Sequence, residues 1–469
     1  MGELAAVNAS EPIAVVGLWH LGSVIAACLA QAGNEVVGID PDPLIVAGLN
    51  AGHPPISEPG LERLMRQNAE RLTFTCDPHA LAAARCAWVA FDTPVADDDV
   101  ADVEWVLEQA VELLAQLRED TLVVVSSQLP VGSSAQLRER CAAARGSAGP
   151  LRFACVPENL RLGRALESFL EPDRIVAGVR DERDRAELER LLAPFSSEVQ
   201  WMRVESAEMT KHALNGFLAT SVAFINEIAA ICESVGADAE EVSRGLKSER
   251  RIGPRAYLAP GDAFAGGTLA RDIGFLCGLA EREGLPAHVF AGVADGNDAH
   301  KQWTRRKLIE LCASRDDDAS AHPLGLLHDR RVAIWGLTYK PGTDTLRRSS
   351  AIELCRWLCV AGARVRAHDP AVETLPSDLT SKMQLCATAL EAAKDADALV
   401  ICTPWPDYLE VPVEGVLGAM ARAQVIDPAG ALRATLGGHP DMRYVRVGTP
   451  SDFRLSRASN AVAVEETRT

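Results

Sequence analysis

The sequence predicts an α/β protein with two doubly wound parallel sheets joined by a long central helix. Three stretches carry this prediction. Residues 13–40 run from an apolar strand through a glycine turn and a helix to a second strand that ends in an acid. Residues 206–236 form a long stretch of good helix formers without proline, and residues 330–369 repeat the strand, glycine, helix and strand order. Such alternation of strands and helices is typical of sheets covered by helices on both faces.

Composition narrows the class of protein. The 469 residues suffice for two or three domains, and a formal net charge of -18 argues against a nucleic-acid surface, which needs basic residues. The 12 cysteines lack the paired spacing of metal sites, so we expect reduced thiols and no bound metal. We find no signal-peptide pattern and no apolar run of about 18 to 20 residues, which predicts a cytoplasmic enzyme without a membrane partner.

The first element in chain order resembles a dinucleotide site. A strand at Ile13–Val16 ends at Gly17, a helix follows, and the next strand ends at Asp40. In a Rossmann-like domain, amides at the start of the helix hold a pyrophosphate and the acid holds the adenosine ribose. Asp40 favours NAD over NADP, because a carboxylate repels a ribose phosphate. Trp19 occupies the position of the second glycine, so an ordinary strand-to-helix turn is the alternative.

Three further strands, at residues 86–90, 121–126 and 153–156, each lead into a polar loop. In a doubly wound sheet the loops at the carboxyl ends of the strands line the ligand crevice. We therefore expect these loops to contribute to the same site as the glycine turn, within a first domain spanning residues 1–205.

The central stretch carries apolar residues at three and four spacing, which predicts one long, largely buried helix. Lys211 and Asn215 lie four apart and share a face of it. For an isolated pair of this kind an exposed lysine and a satisfied asparagine are the favoured interpretation. The nucleotide-binding pattern before the helix and the glycine-rich loop after it favour a functional pair instead. The glycine-rich and proline-rich residues 250–272 either wrap a phosphate or sugar or form a surface connector, and a helix resumes from Asp272 to about Ala299.

A second Rossmann-like domain is predicted over residues 328–455, after a central helical domain at residues 206–305. A strand at residues 330–335 ends in glycine, and more strands are expected at residues 398–402 and 424–426. The tail, residues 456–469, is predicted to be disordered.

Eight segments in a fixed order together resemble the UDP-glucose/GDP-mannose dehydrogenase family over nearly the whole chain. They are GLWHLG with Asp40, NAGHPPISEPGLERL, DTPV, SQLPVGSS, VPENLRLG followed by PDRIVAG, EMTKHALNGFLATSVAFINEIA, RIGP and GLTYKPGTDTLRRSSAIEL. The resemblance implies a homodimer formed through the long helix. It also implies successive use of two NAD to oxidise the C6 alcohol of a UDP- or GDP-linked sugar to a carboxylate.

The resemblance assigns roles to the candidate catalytic residues. Asp272 would be the base that acts through water, Lys211 would stabilise the oxyanion, and Asn215 would hold the reacting oxygen or a water. Glu158 would assist hydrolysis of a thioester in the second oxidation.

The resemblance also assigns ligand contacts. The cofactor contacts are Gly17, Leu18, Trp19, His20, Leu21, Gly22, Asp40, Thr93, Pro94, Gln128 and Arg347. The substrate contacts are Leu160, Arg161, Arg251, Tyr257, Gly261, Phe264, Gly266 and Lys340. Among them, Arg251 matches the arginine that reaches the substrate of a neighbouring subunit.

The nucleophilic cysteine of the family is missing. Alignment of AFAGGTLARD with the family pattern GFGGSCxxKD places Thr268 at that position. A threonine hydroxyl has a far higher pKa than a thiol and traps an aldehyde poorly. We interpret Cys277 as a core residue. Leu162, Gln128 and Thr449 are further departures from the family pattern.

The leading hypothesis is therefore an NAD-dependent dehydrogenase of a nucleotide sugar that performs only the first, two-electron step. One alternative is the full four-electron oxidation without a covalent thioester, with Glu158 activating the water. The other is a homologue that binds the nucleotide sugar or NAD without turnover.

Overall fold

The structure, a computed structural model, describes residues 11–94, 101–161, 163–265, 267–312 and 323–450. The chain forms two compact units, residues 1–214 and residues 215–469. Three predictions lie outside the described residues: the departure at Leu162, the substrate contact at Gly266, and the tail at residues 456–469. The proposed division into four segments stays a prediction.

The first unit is built on eight short strands. They are β1 (Ile13–Val16), β2 (Val36–Ile39), β3 (Leu72–Thr75), β4 (Cys86–Val89), β5 (Leu122–Val125), β6 (Arg152–Cys155), β7 (Ile175–Gly178) and β8 (Val199–Met202). The helices of this unit are α1 (His20–Gln31), α2 (Pro43–Asn50), α3 (Leu61–Gln67), α4 (Val103–Leu114), α5 (Ser133–Arg145), α6 (Ala165–Leu170) and α7 (Glu182–Leu192).

The eight strands form one sheet in the order β3-β2-β1-β4-β5-β6-β7-β8. All neighbours are parallel except β6 and β7. The central strands β1, β2, β4 and β5 are buried at every residue, as expected where helices cover both faces. The predicted doubly wound sheet is thus confirmed. Strands β3, β7 and β8 had no counterpart among the predicted strands.

The long central helix, α8, spans Val204–Val235, within two residues of the prediction. It ends before Gly236, which has φ 81°. This left-handed conformation favours glycine at that position. Gly216 is the one glycine inside this helix. A Cβ at this position would lie 2.9 Å from the Leu276 side chain, so close packing against Leu276 explains why the residue is glycine.

Within the part of the chain that the structure describes, α8 alone has the length and, in its most apolar 18-residue window, the apolarity to cross a membrane. Of that window 44% is buried, and core helices of other proteins meet the same criterion.

The second unit begins within α8 and continues with helices before its sheet. The helices are α9 (Ala239–Ser248), α10 (Leu269–Arg282), α11 (His288–Lys301), α12 (Trp303–Cys312), α13 (Ser350–Val360), α14 (Ala389–Ala393) and α15 (Val413–Ala419). The strands are β9 (Arg331–Trp335), β10 (Arg364–His368), β11 (Gln384–Leu385), β12 (Ala398–Ile401), β13 (Gln424–Ile426) and β14 (Arg443–Val445).

These six strands form a parallel sheet in the order β11-β10-β9-β12-β13-β14. The order reverses between β9 and β12, as it does between β1 and β4 in the first unit. The two predicted Rossmann-like domains are therefore confirmed.

One predicted helix is corrected. The region from Asp272 to Ala299, which was predicted as one helix, contains two: α10 ends at Arg282 and α11 begins at His288. Gly284 has φ 64°, outside the helical region, and proline at position 286 cannot donate a helical hydrogen bond. The first of these helices starts at Leu269, so Asp272 lies in its first turn.

We expect substitution of Gly22 by alanine to destabilise the first unit. A Cβ at Gly22 would lie 1.7 Å from the carbonyl oxygen of Gly17, so the loss should reach about 3 kcal/mol, the upper end of ordinary over-packing. Gly274→Ala is the matched control, because nothing lies within 4 Å of its added Cβ. Thermal unfolding measures both variants, and an unchanged melting temperature for Gly22→Ala would contradict the packing argument.

Candidate active site

The turn between β1 and α1 is shaped by two glycines. Gly17 has φ 89°, and an added Cβ would lie 2.6 Å from the Phe91 ring. Gly22 lies so close to the Gly17 carbonyl that no side chain fits. The helix therefore starts directly against the turn, with its first-turn amides at the carboxyl edge of the sheet, where a pyrophosphate would bind.

Asp40 is buried beside this turn. Its carboxylate accepts the Leu18 N–H at 2.7 Å and the Asp42 N–H at 2.9 Å. Burial raises the pKa of Asp40, and these two backbone donors oppose the rise. A carboxylate has about four acceptor positions, so capacity remains for ribose hydroxyls. The turn and the acid fit an NAD cofactor.

Trp19 lies in the turn with its side chain near the surface. It has φ -67° and ψ -138°, a ψ outside the ordinary helical and strand regions, and the residue is 43% exposed. The indole thus lies at the surface of the turn. The tryptophan at the second glycine position stays a departure from the dinucleotide motif.

Glu58 is a candidate functional residue that the sequence analysis missed. Its buried carboxylate lies 3.0 Å from His20 Nε2 and accepts the Gly163 and Ala165 N–H groups at 2.9 and 2.8 Å. It therefore connects the cofactor turn to the segment after β6. The SEPGL segment was quoted for the resemblance, but partners 38 and 105 to 107 residues away are invisible in a sequence.

Two more predicted cofactor contacts come together at the ends of β4 and β5. The Thr93 hydroxyl donates to the Gln128 carbonyl at 2.7 Å, and both side chains are buried. Leu21 donates its backbone N–H to Asp92 at 3.0 Å. The loops after β1, β4 and β5 are thereby linked within the first unit.

A cleft at the carboxyl ends of β5 and β6 contains the first pair of predicted catalytic residues. Lys211 Nζ lies 3.2 Å from Glu158 Oε1, and the Leu160 N–H donates to Glu158 Oε2 at 2.8 Å. The cleft encloses about 340 Å³, including its open mouth, and Ser127 and Gln128 also line it. The prediction that these loops share one site is consistent with this geometry.

Glu208 was not predicted. It lies on α8 and accepts the N–H groups of Gly132 and Ser134 at 2.7 and 2.9 Å. A carboxylate at the start of α5 satisfies amides that have no partner within the helix. These amides therefore already donate to a side chain of the protein.

The second unit contains the other pair. The Asn215 side-chain amide donates to the Asp272 carboxylate, and both residues are buried. Asp272 lies in the first turn of α10, where a negative charge is favourable. Thr268 is the residue at the N-terminal boundary of this helix, and its side chain makes no capping hydrogen bond.

The remaining predicted contacts lie on loops. They are Pro94 after β4, Leu160 and Arg161 after β6, Tyr257, Gly261 and Phe264 before α10, and Lys340 and Arg347 between β9 and α13. Arg251 follows α9; it is exposed and pairs with Glu249 at 3.1 Å. Cys277 is partly buried, and burial raises the pKa of its thiol, which disfavours the thiolate.

Sequence profiles of one family match most of the chain. The NAD binding domain of the UDP-glucose/GDP-mannose dehydrogenase family matches residues 11–196, its central domain residues 205–299 and its UDP binding domain residues 333–434.

Curated relatives match at similar length. A UDP-glucose 6-dehydrogenase of Pseudomonas aeruginosa is 34% identical over 88% of this chain and 92% of its own. One of Rhizobium meliloti is 33% identical over 93% of this chain and 99% of its own. Among solved structures, a UDP-glucose dehydrogenase from Pyrobaculum islandicum has a TM-score of 0.82 and 29% identity, over 95% of this chain and 100% of its own.

We expect Glu58→Gln to weaken NAD binding about tenfold and to destabilise the protein by about 2 to 3 kcal/mol. The side-chain NH₂ of the glutamine would face the Gly163 N–H and His20. The Gly163 N–H would then lose its acceptor and face another donor. Glu62→Gln is the control, because Glu62 is exposed on α3. Calorimetric titration with NAD measures the affinity, and equal affinities in both variants would show that Glu58 does not hold the cofactor turn.

Proposed function

The chain belongs to the UDP-glucose/GDP-mannose dehydrogenase family and is an NAD-dependent oxidoreductase, and we propose that it oxidises a UDP-linked sugar and stops after the first two-electron step. The family's UDP binding domain and the names of the relatives support UDP over GDP. The observation that carries the two-electron step is Thr268, which stands at the start of α10, four residues before Asp272.

In the proposed reaction, the alcohol carbon loses a hydride and the alcohol oxygen loses a proton, which leaves a carbonyl. NAD, when bound, accepts the hydride. Asp272 accepts the proton through a water molecule, and the Asn215 amide orients its carboxylate. Burial keeps competing bulk water away from this carboxylate.

Lys211 stabilises the negative charge that develops on the sugar oxygen. Its ion pair with Glu158 holds the ammonium in the cleft. Lys211 and Asn215 lie four residues apart in the sequence of α8, the spacing of residues that share one face of a helix.

The second oxidation requires a covalent trap or an activated water. Thr268 supplies only a hydroxyl, and the thiol next along the chain, Cys277, has a pKa raised by burial. The Thr268 hydroxyl could form only a hemiacetal, and the Cys277 thiol is disfavoured as the thiolate that a thiohemiacetal needs. The protein would then release a carbonyl product and one NADH per sugar.

A four-electron reaction is the second candidate, and the position of Glu158 favours it. This carboxylate lines the cleft and could remove a proton from a water that attacks the carbonyl carbon. A hydrated aldehyde would then lose a second hydride without an adduct to the protein.

We also propose a cytoplasmic homodimer formed through α8. Phe217, Phe224, Ile231 and Val235 are 69%, 46%, 57% and 67% exposed. The first three recur every seven residues, so they form one apolar stripe along the helix. A second copy of the chain would bury it.

The NADH yield per sugar tests the two-electron step. With UDP-glucose as substrate we expect one equivalent and a carbonyl product by mass spectrometry. Thr268→Cys should raise the yield toward two equivalents with a carboxylate product, because a thiol ionises near neutral pH. Thr268→Ser, which keeps a hydroxyl, should remain at one. Two equivalents from the unaltered protein would overturn the two-electron step and favour the water route.

A substitution in the apolar stripe of α8 tests the proposed dimer. We expect Phe224→Glu to place a charge in the interface and to convert the dimer to monomers at micromolar concentration. Leu409→Glu is the matched control, because Leu409 is half exposed and lies outside α8. Sedimentation velocity distinguishes the two states. A dimer that survives Phe224→Glu would place the interface elsewhere.

A further inference from the structure

Residues 261–264, in the loop before Thr268, have no helix or strand, yet side chains bind their backbone groups. Asn226 on α8 accepts the Gly261 N–H through Oδ1 at 3.0 Å and donates from Nδ2 to the Asp262 carbonyl at 3.3 Å. One amide thus binds two successive residues of the loop.

Asn297 on α11 repeats this arrangement at the other end of the segment. Its Oδ1 accepts the Phe264 N–H, and its Nδ2 donates to the Phe264 carbonyl, both at 2.9 Å. This two-bond ring is the exchange that a residue makes with its partner on an antiparallel strand. Asn297 therefore replaces a neighbouring strand that the loop lacks.

His300, also on α11, lies with Nε2 2.8 Å from the Gly261 carbonyl oxygen. A carbonyl only accepts, so Nε2 carries the proton. Burial lowers the pKa of His300, which favours the neutral ring that still donates through Nε2. The segment is bound at both ends by side chains of two helices.

The two asparagines are 2% and 3% exposed. A buried side-chain amide is costly unless its donors and acceptor are paired, and here the loop backbone supplies those partners. Because α8 and α11 are regular helices, they hold the two amides at fixed positions. The loop inherits a defined path from them, which its own glycines and prolines would not give.

We propose that Asn226 and Asn297 are positioning residues that hold residues 261–264 in the conformation that presents Phe264 and Thr268 to the sugar. The proposal rests on the proposed function, because it assigns this loop to the sugar of the same site. A small displacement of positioning groups costs a large factor in rate or affinity, so the pairing with the backbone should appear in substrate binding and not only in stability.

The test uses Asn297→Asp in the full-length protein. Aspartate has the same shape, but a carboxylate oxygen would replace the Nδ2 donor and face the Phe264 carbonyl. The carboxylate can still accept the Phe264 N–H, but its repulsion of the Phe264 carbonyl should displace the segment. We therefore expect the Phe264 amide to exchange with deuterium at least tenfold faster, and the dissociation constant for UDP-glucose to rise about tenfold. The dissociation constant for NAD should stay within twofold, because the glycine turn and Asp40 lie in the first unit. Asn226→Asp should act in the same way, because it replaces the Nδ2 donor to the Asp262 carbonyl with a carboxylate oxygen.

Asn68→Asp is the matched control for a general loss of stability. Asn68 is a buried amide in the first unit, and its Nδ2 donates to the Leu64 carbonyl at 2.9 Å and to Gln31 Oε1 at 2.8 Å. It should lower the melting temperature comparably and leave UDP-glucose binding unchanged.

Two results would overturn the proposal. One is a Phe264 amide that exchanges as fast in the unaltered protein as in an unstructured chain. The other is faster exchange in Asn297→Asp with UDP-glucose binding no weaker than in Asn68→Asp. Failure of the proposed function looks different: UDP-glucose would bind without NADH formation, while exchange and binding would still respond to Asn297→Asp.

Discussion

In each unit a buried carboxylate at the end of the second strand fixes the turn that follows the first strand. Asp40 accepts the Leu18 N–H at 2.7 Å, and Asp369 accepts the Leu337 N–H at 2.6 Å. A buried amide and a buried carboxylate both need partners, so one contact satisfies both groups. The first strand, its turn and the second strand therefore keep one relative geometry. The position of the other loops at the carboxyl edge of each sheet depends on it.

The same device recurs farther from the strands of the first unit. Glu58 accepts backbone amides after β6, and Glu208 accepts amides at the start of α5. Buried carboxylates add little to stability and are costly when a partner is lost. Their use at three loops of one sheet edge indicates that they serve the position of those loops. The pair of Lys211 and Glu158 lies in a cleft among them.

The sequence was informative where structure is local and uniform. The fully buried strands β1, β4 and β5 are continuous apolar runs, and α8 is one long periodic stretch, so both were predictable. Strand β8, by contrast, is exposed or half-buried throughout and gives no apolar run. The break between α10 and α11 was missed although Gly284 and Pro286 mark it in the sequence. Contacts such as that of Asn297 with Phe264 join residues 33 apart, and no local pattern encodes them.

The location of position 268 at the start of α10 explains how threonine in place of cysteine would affect the proposed second oxidation. A helix N-terminus stabilises an anion, so a cysteine at position 268 would ionise more readily there. Threonine does not ionise near neutral pH and gains nothing from the same location. Asp272, one turn farther along, benefits from the helix whichever residue stands at 268. In the proposed reaction, the fold would therefore keep the geometry for proton removal, whereas the thiolate that a covalent second oxidation would need depends on a single side chain.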